Sequence, residues 1–186
     1  ALTFYVNGKR KVVADQPPTV NLLEYLRSIG LTGTKLGCGE GGCGACTVMV
    51  SSFDHATGQV RHAAVNACLM PLCAADWCAV TTVEGIGSVR DDKLHPVQER
   101  MTIMHGSQCG FCTPGFVMSA YALMREDPAP SDAAVERALA GNLCRCTGYR
   151  PIMRAFTELA RQAREGDAAA KEAAPAGRVC PSTGTP

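Results

Sequence analysis

The sequence predicts two domains. A small α+β domain of strands around one helix covers residues 1–85, and an all-α domain of four short helices covers 86–165. Three observations carry this. Short apolar runs bounded by turn residues fill the first third of the chain. After Gly85-Ile86-Gly87 the apolar residues change to helical spacing. Cysteine is abundant, 11 in 186 residues, but it gathers in tight groups, as local ligand sites do.

Leu2 to Val6 reads as a strand, and Asn7-Gly8 is a strong hairpin turn, so Lys11 to Ala14 should pair back. Leu22, Leu23, Leu26 and Ile29 have helical spacing, with Gly30 as a stop. Thr47 to Val50 is a second strand. His55 to Gly58 is a turn, Val60 to Val65 a returning strand, and Cys78 to Val83 the last one. Pro96 opens a helix with Val97, Met101 and Met104 on one side. Thr113 caps the next, with Pro114 as its first helical residue and Val117, Ala120, Tyr121 and Met124 as its stripe. Ser131 caps a third, which carries Val135, Ala138 and Leu139 and stops at Gly141-Asn142. Pro151 starts a fourth, with Ile152, Ala155, Phe156 and Leu159 facing a core. Residues 166–186 are rich in Ala, Gly, Pro and Thr without apolar period, and read as a flexible tail or linker.

Eighteen Lys and Arg against seventeen Asp and Glu leave a net charge of +1, which argues against nucleic-acid binding through a basic surface. No apolar run is long enough for a membrane span. The first residues show no charged start, apolar stretch or cleavage site, so a cytoplasmic location is expected. An odd cysteine count without a secretion signal weakens the disulfide reading and favours metal or redox chemistry.

Two sets of four ligands can be drawn. Cys38-x4-Cys43-x2-Cys46, with Cys68 22 positions on, has the plant-type [2Fe–2S] spacing. Five glycines lie within residues 37–46, as a loop wrapping one small object with bare N–H groups requires. A structural zinc site is the alternative, although zinc more often uses paired C-x2-C knuckles. Cys73, five residues after Cys68, is a second candidate for the fourth ligand. Cys68 is preferred because it ends a strand, with Pro71 breaking the chain beyond it. Cys109, Cys112, Cys144 and Cys146 form the other set. The first two stand at a helix N-terminus, where free N–H groups favour thiolates. Their spacing alone suits zinc about as well as iron.

The motifs themselves resemble those of the molybdenum hydroxylases. Thr34-Lys35-Leu36-Gly37-Cys38-Gly39-Glu40-Gly41-Gly42-Cys43-Gly44-Ala45-Cys46 is similar to their first-cluster loop. His105-Gly106-Ser107-Gln108-Cys109-Gly110-Phe111-Cys112-Thr113-Pro114 and Gly141-Asn142-Leu143-Cys144-Arg145-Cys146-Thr147-Gly148-Tyr149-Arg150-Pro151 resemble the two halves of their second-cluster site. The likeness runs from residue 2 to about 160, so only the tail lies outside. Within the family, Leu36, Glu40 and Ser107 resemble the xanthine dehydrogenase branch, since aldehyde oxidases tend to differ there.

The resemblance implies an N-terminal β-grasp, plant-type ferredoxin-like domain followed by an all-α four-helix [2Fe–2S]-binding domain. It implies molybdopterin and FAD on partner domains or chains, in an assembly that is itself a dimer. The cluster of Cys109, Cys112, Cys144 and Cys146 would lie beside the pterin, with Cys146 near it and Gln108 hydrogen-bonding it. The other cluster would face the flavin. The expected role is to relay electrons singly from the molybdenum site to FAD and NAD while a purine (xanthine or hypoxanthine) is hydroxylated, with no catalytic residue on this chain. The same part of an aldehyde oxidoreductase, a freely diffusing ferredoxin and a zinc-stabilised interaction module are the alternatives. Near-neutral charge and the added helical domain count against a diffusing carrier. Cys73 and Cys78 are expected to be packing residues, Cys180 an exposed tail thiol, and His55 and His62 surface residues. His95 and His105 flank a helix, and no ligand role is expected of them.

Overall fold

A computed structural model describes residues 1–89 and 93–166. The tail expected beyond Gly166, with Cys180, lies outside the described residues. Strands β1 (Leu2–Val6) and β2 (Lys9–Val13) form a hairpin over Asn7-Gly8, whose φ angles of 49° and 76° suit the twist of a two-residue hairpin turn. Helix α1 (Leu22–Ser28) starts in a capping box: Asn21 accepts the Glu24 N–H, and Glu24 accepts the Asn21 N–H. Strands β3 (Thr47–Asp54) and β4 (Gln59–Asn66) form a second hairpin, and β5 (Ala79–Thr81) enters between the two. The sheet order is β2-β1-β5-β3-β4, with β1 and β5 parallel. The last strand is shorter than its apolar run, because Val83–Gly85 turns into a 3-10 helix.

One sheet face packs on α1 through Phe4, Val48, Val50, Val80, Leu22 and Leu26. The second face is also covered. Helix α3 (Thr113–Glu126) lies on β3 and β4, where Met49 meets Met118, Tyr121 and Ala122. Five successive residues, Thr47 to Ser51, are therefore buried, as befits a strand covered on both sides. His62, expected at the surface, is only 5% exposed. Its Nδ1 pairs with Ser51 Oγ across the ladder at 2.8 Å, and its N–H donates to Glu126 of α3 at 2.8 Å. The Ser51 hydroxyl gives the buried ring a hydrogen-bond partner at Nδ1, and the Glu126 carboxylate satisfies the backbone beside it.

Helices α2 (Pro96–Ile103), α4 (Asp132–Leu139) and α5 (Arg150–Glu165) surround α3. Their stripes meet at Val97, Met101, Phe116, Val135, Leu139, Ile152, Phe156 and Leu159. Each such side chain contributes roughly 2 kcal/mol on burial. The α3 boundary differs from expectation by one residue: Cys112 is the N-cap, Thr113 is the first helical residue and Pro114 the second. No helix among the described residues is long and apolar enough to cross a membrane.

His95 caps α2. Its Nδ1 accepts the Val97 N–H at 3.3 Å, its own N–H donates to Gln98 at 2.9 Å, and its ring meets Tyr121 edge-on. Burial, with the Arg125 charge nearby, lowers its pKa to about 4. A protonated imidazole has no lone pair left for the cap. The folded pKa lies below the unfolded value of 6.5, so the unfolded chain binds the proton first as pH falls. The stability of the neutral cap is complete above about pH 6.5 and is lost between there and about pH 4, by about 3 kcal/mol in total. Denaturant titrations at stepped pH should show this loss in the wild type and not in His95→Asn, which keeps a capping oxygen.

Candidate metal centres

The first cysteine loop turns tightly on Gly39 and Gly41, with φ of 74° and 75°. These turns aim backbone donors at sulfur. The Glu40 and Gly42 N–H groups donate to Cys38 Sγ at 3.4 and 3.3 Å, and the Cys38 N–H donates to Cys43 Sγ at 3.4 Å. The loop is tied to the end of β4, since Asn66 Nδ2 donates to the Gly41 carbonyl at 2.8 Å and the Ala67 N–H to Cys46 O at 3.3 Å. Cys68 follows that tie. It does not end the strand, which stops at Asn66, but it is buried beside Cys46. Cys73 is exposed on a separate 3-10 turn rather than packed, and Cys78 is half-buried.

The thiols stand in pairs. The Glu40 N–H and the Cys43 thiol bring Cys38 down to about 7, as suits a thiolate. Burial, with Cys68 alongside, pushes Cys46 up to about 11. At the second site burial pushes Cys112 up to about 12, with Cys144 against it. Burial also acts upward on Cys144, but hydrogen bonds from Thr147 and the Cys146 backbone outweigh it and bring the thiol below its ordinary value. The Thr147 hydroxyl is 3.1 Å from Cys144 Sγ. Cys146 is raised by the Cys109 thiol beside it. The pairs are thus Cys38 with Cys43, Cys46 with Cys68, Cys112 with Cys144, and Cys109 with Cys146.

Elements meeting at the N-terminus of α3 build the second site. Cys109 and Cys112 lead into the helix, and Cys144 and Cys146 lie on the loop between α4 and α5. All four, with Phe111, Leu143, Arg145 and Tyr149, line a cavity of about 460 Å³. Tyr149 has φ of 68°, unusual for a bulky residue and a local strain of about 1–3 kcal/mol. That backbone puts its phenol oxygen 3.0 Å from the Cys144 N–H, which donates to it. Thr147 and Tyr149 are site residues that ligand spacing does not reveal. Gln108 is exposed next to Cys109, and Arg145 is exposed between Cys144 and Cys146. A larger cleft of about 580 Å³, lined by Gly30, Thr32, Glu84 and Gln98, brings no cysteine or histidine together.

Among the described residues no three His, Cys, Asp or Glu side chains are grouped to hold one metal ion. Single zinc sites need four donors converging on a point. A [2Fe–2S] rhomb takes two cysteines on each of two irons, so paired thiols fit it.

Comparisons with known proteins agree. Residues 4–73 match the family described as a 2Fe-2S iron-sulfur cluster binding domain, and residues 82–157 match a [2Fe-2S] binding domain. The chain is 56% identical over 186 residues to xanthine dehydrogenase of Oryza sativa subsp. japonica, covering 98% of this chain and 13% of that protein. It is 63% identical over 153 residues to aldehyde oxidase 1 of Cavia porcellus, covering 82% of this chain and 11% of that one. The chain therefore spans about an eighth of the length of these curated relatives. One chain of quinoline 2-oxidoreductase from Pseudomonas putida 86 superposes with a TM-score of 0.73 at 38% identity, over 89% of this chain and 96% of that one.

Proposed function

The chain belongs to the [2Fe–2S] iron–sulfur region of the molybdenum hydroxylases, and from that premise we propose which residues hold its clusters and what they serve. Cys38, Cys43, Cys46 and Cys68 ligate the first cluster, and Cys109, Cys112, Cys144 and Cys146 the second. The pairing of these eight thiols carries the reading. When bound, such clusters supply one-electron transfer at potentials set by ligands, hydrogen bonds and burial. Both sites supply four cysteines, but they differ in hydrogen bonding and in burial, with Cys46 and Cys68 buried at the first and only Cys144 at the second. The first loop gives N–H donors to Cys38 and Cys43, whereas the second has the Thr147 hydroxyl on Cys144. Residues 1–85 form the first domain and 86–165 the second.

In the whole enzyme the chain relays electrons singly from a molybdopterin site to FAD and NAD, during hydroxylation of a purine such as xanthine. Gln108 contacts the pterin and Cys146 lies near it. The molybdopterin and FAD partners dock where large apolar side chains are exposed around the sites: Leu36 and Leu69 by the first, Phe111 and Leu143 by the second. The assembly as a whole is a dimer. Ten cysteines without a disulfide among the described residues suit a reducing compartment, the cytoplasm. The aldehyde oxidase likeness, at 63% identity, supports an aldehyde as second reading for the substrate. Metal analysis of the purified enzyme should give about four irons per chain in this region and no zinc. Stoichiometric zinc without visible absorbance would overturn the proposal.

A further inference from the structure

The two cysteine loops touch. The Leu143 N–H, beside Cys144, donates to the carbonyl of Cys43 at 2.9 Å. The neighbouring Asn142 is 4% exposed and is bonded at both ends of its amide. Its Nδ2 donates to the Gly44 carbonyl at 3.0 Å and toward Thr47 Oγ1 at 3.4 Å, while its Oδ1 accepts the Ser119 hydroxyl at 2.7 Å. Thr47 Oγ1 donates to the same Gly44 carbonyl at 2.7 Å. Thr47 and Ser119 are themselves 5% and 3% exposed. One buried amide thus joins the first loop, the strand leaving it and the helix that begins at the second site.

We propose that Asn142 is the positioning residue that holds the two clusters in one fixed geometry and so sets the coupling between them. The inference rests on the cluster assignment above. Asn142 touches none of the eight cysteines, so it acts through Gly44, which adjoins Cys43, and through Leu143, which adjoins Cys144. Both ends of the amide are needed. An alanine leaves the Gly44 carbonyl with donors from Thr47 alone, cutting its side-chain tie to the second loop, and leaves Ser119 without its acceptor. An aspartate sets a carboxylate oxygen against the Gly44 carbonyl, a buried repulsion between two acceptors. Either change loosens the contact between the loops without removing a ligand.

The test uses the whole enzyme, reduced by dithionite and examined by low-temperature electron paramagnetic resonance. Two reduced clusters held at one distance split each other's signals. In Asn142→Ala and Asn142→Asp the iron content and each cluster's own midpoint potential should stay as in the wild type. The splitting should be smeared or lost, and electron equilibration between the clusters slowed. A residue with a merely general stabilising role would leave the splitting intact in whatever fraction assembles. Wild-type splitting in iron-replete Asn142 variants overturns the proposal. If those variants do not assemble, Ser119→Ala carries the test. It removes only the anchor of Oδ1 and should shift the splitting in the same direction, and wild-type splitting there overturns the proposal. A wild-type enzyme without iron would overturn the cluster assignment instead.

Discussion

Cys144→Ala should halve the iron of this region, from about four atoms to about two per chain, and abolish turnover with any acceptor beyond the second cluster. Cys144 is buried beside Cys112, bonded to Thr147 and held through its N–H by Tyr149. Among the described residues no fifth cysteine lines the cavity of this site. The spare thiols among the described residues sit in the first domain, Cys73 exposed and Cys78 half-buried. The first cluster should keep its full spectrum, because its four ligands lie in the other domain. Cys73→Ala should retain all the iron and full turnover. The result is read by iron analysis and by counting the reduced-cluster signals. Loss of iron in Cys73→Ala, with retention in Cys68→Ala, would move the fourth ligand of the first site to Cys73.

Gly115→Ala should lower stability by about 3 kcal/mol or more, and the melting temperature by roughly 6–12 °C. Gly115 lies in the first turn of α3, where the helix presses on the first cysteine loop. A Cβ there would collide with the Gly44 carbonyl oxygen and lie 3.1 Å from Gly44 C and 3.2 Å from Ala45 Cα. All three are backbone atoms, so no side chain can swing aside. The same carbonyl accepts from Asn142 and Thr47, so displacing it breaks those bonds too. Gly141→Ala, with nothing within 4 Å of the added carbon, is the control and should change little. A melting temperature equal to that of the control would refute the close approach of helix and loop.

Much of the architecture is legible along the chain because its signals are local. Asn7-Gly8 makes its hairpin through two positive φ angles that these residues adopt easily. Ser131 caps α4 with its hydroxyl on the Ala134 N–H, and the 3.6-residue stripe of α5 buries Ile152, Phe156 and Leu159. The plant-type spacing at Cys38, Cys43 and Cys46 needs only a short glycine-rich loop, which lies within ten residues. His62 shows where local reading stops. Its strand alternates like one with a wet face, and nothing near it in sequence announces that α3, more than 50 residues on, covers that face. Substrate identity is not legible either. Comparable identity to a xanthine dehydrogenase and an aldehyde oxidase fits a region in which neither cluster site need touch substrate.

By itself the sequence determined the element types and the stock of soft donors, because propensity, turn chemistry and ligand spacing act over a few residues. Only the tertiary structure decided how the donors pair. Neighbours in sequence such as Cys144 and Cys146 turn to different partners, Cys112 and Cys109. It also decided that the two loops meet through Asn142, Gly44 and Leu143. Those contacts join residues 98 to 100 apart in the chain, and they depend on the packing of α3 against β3 and β4.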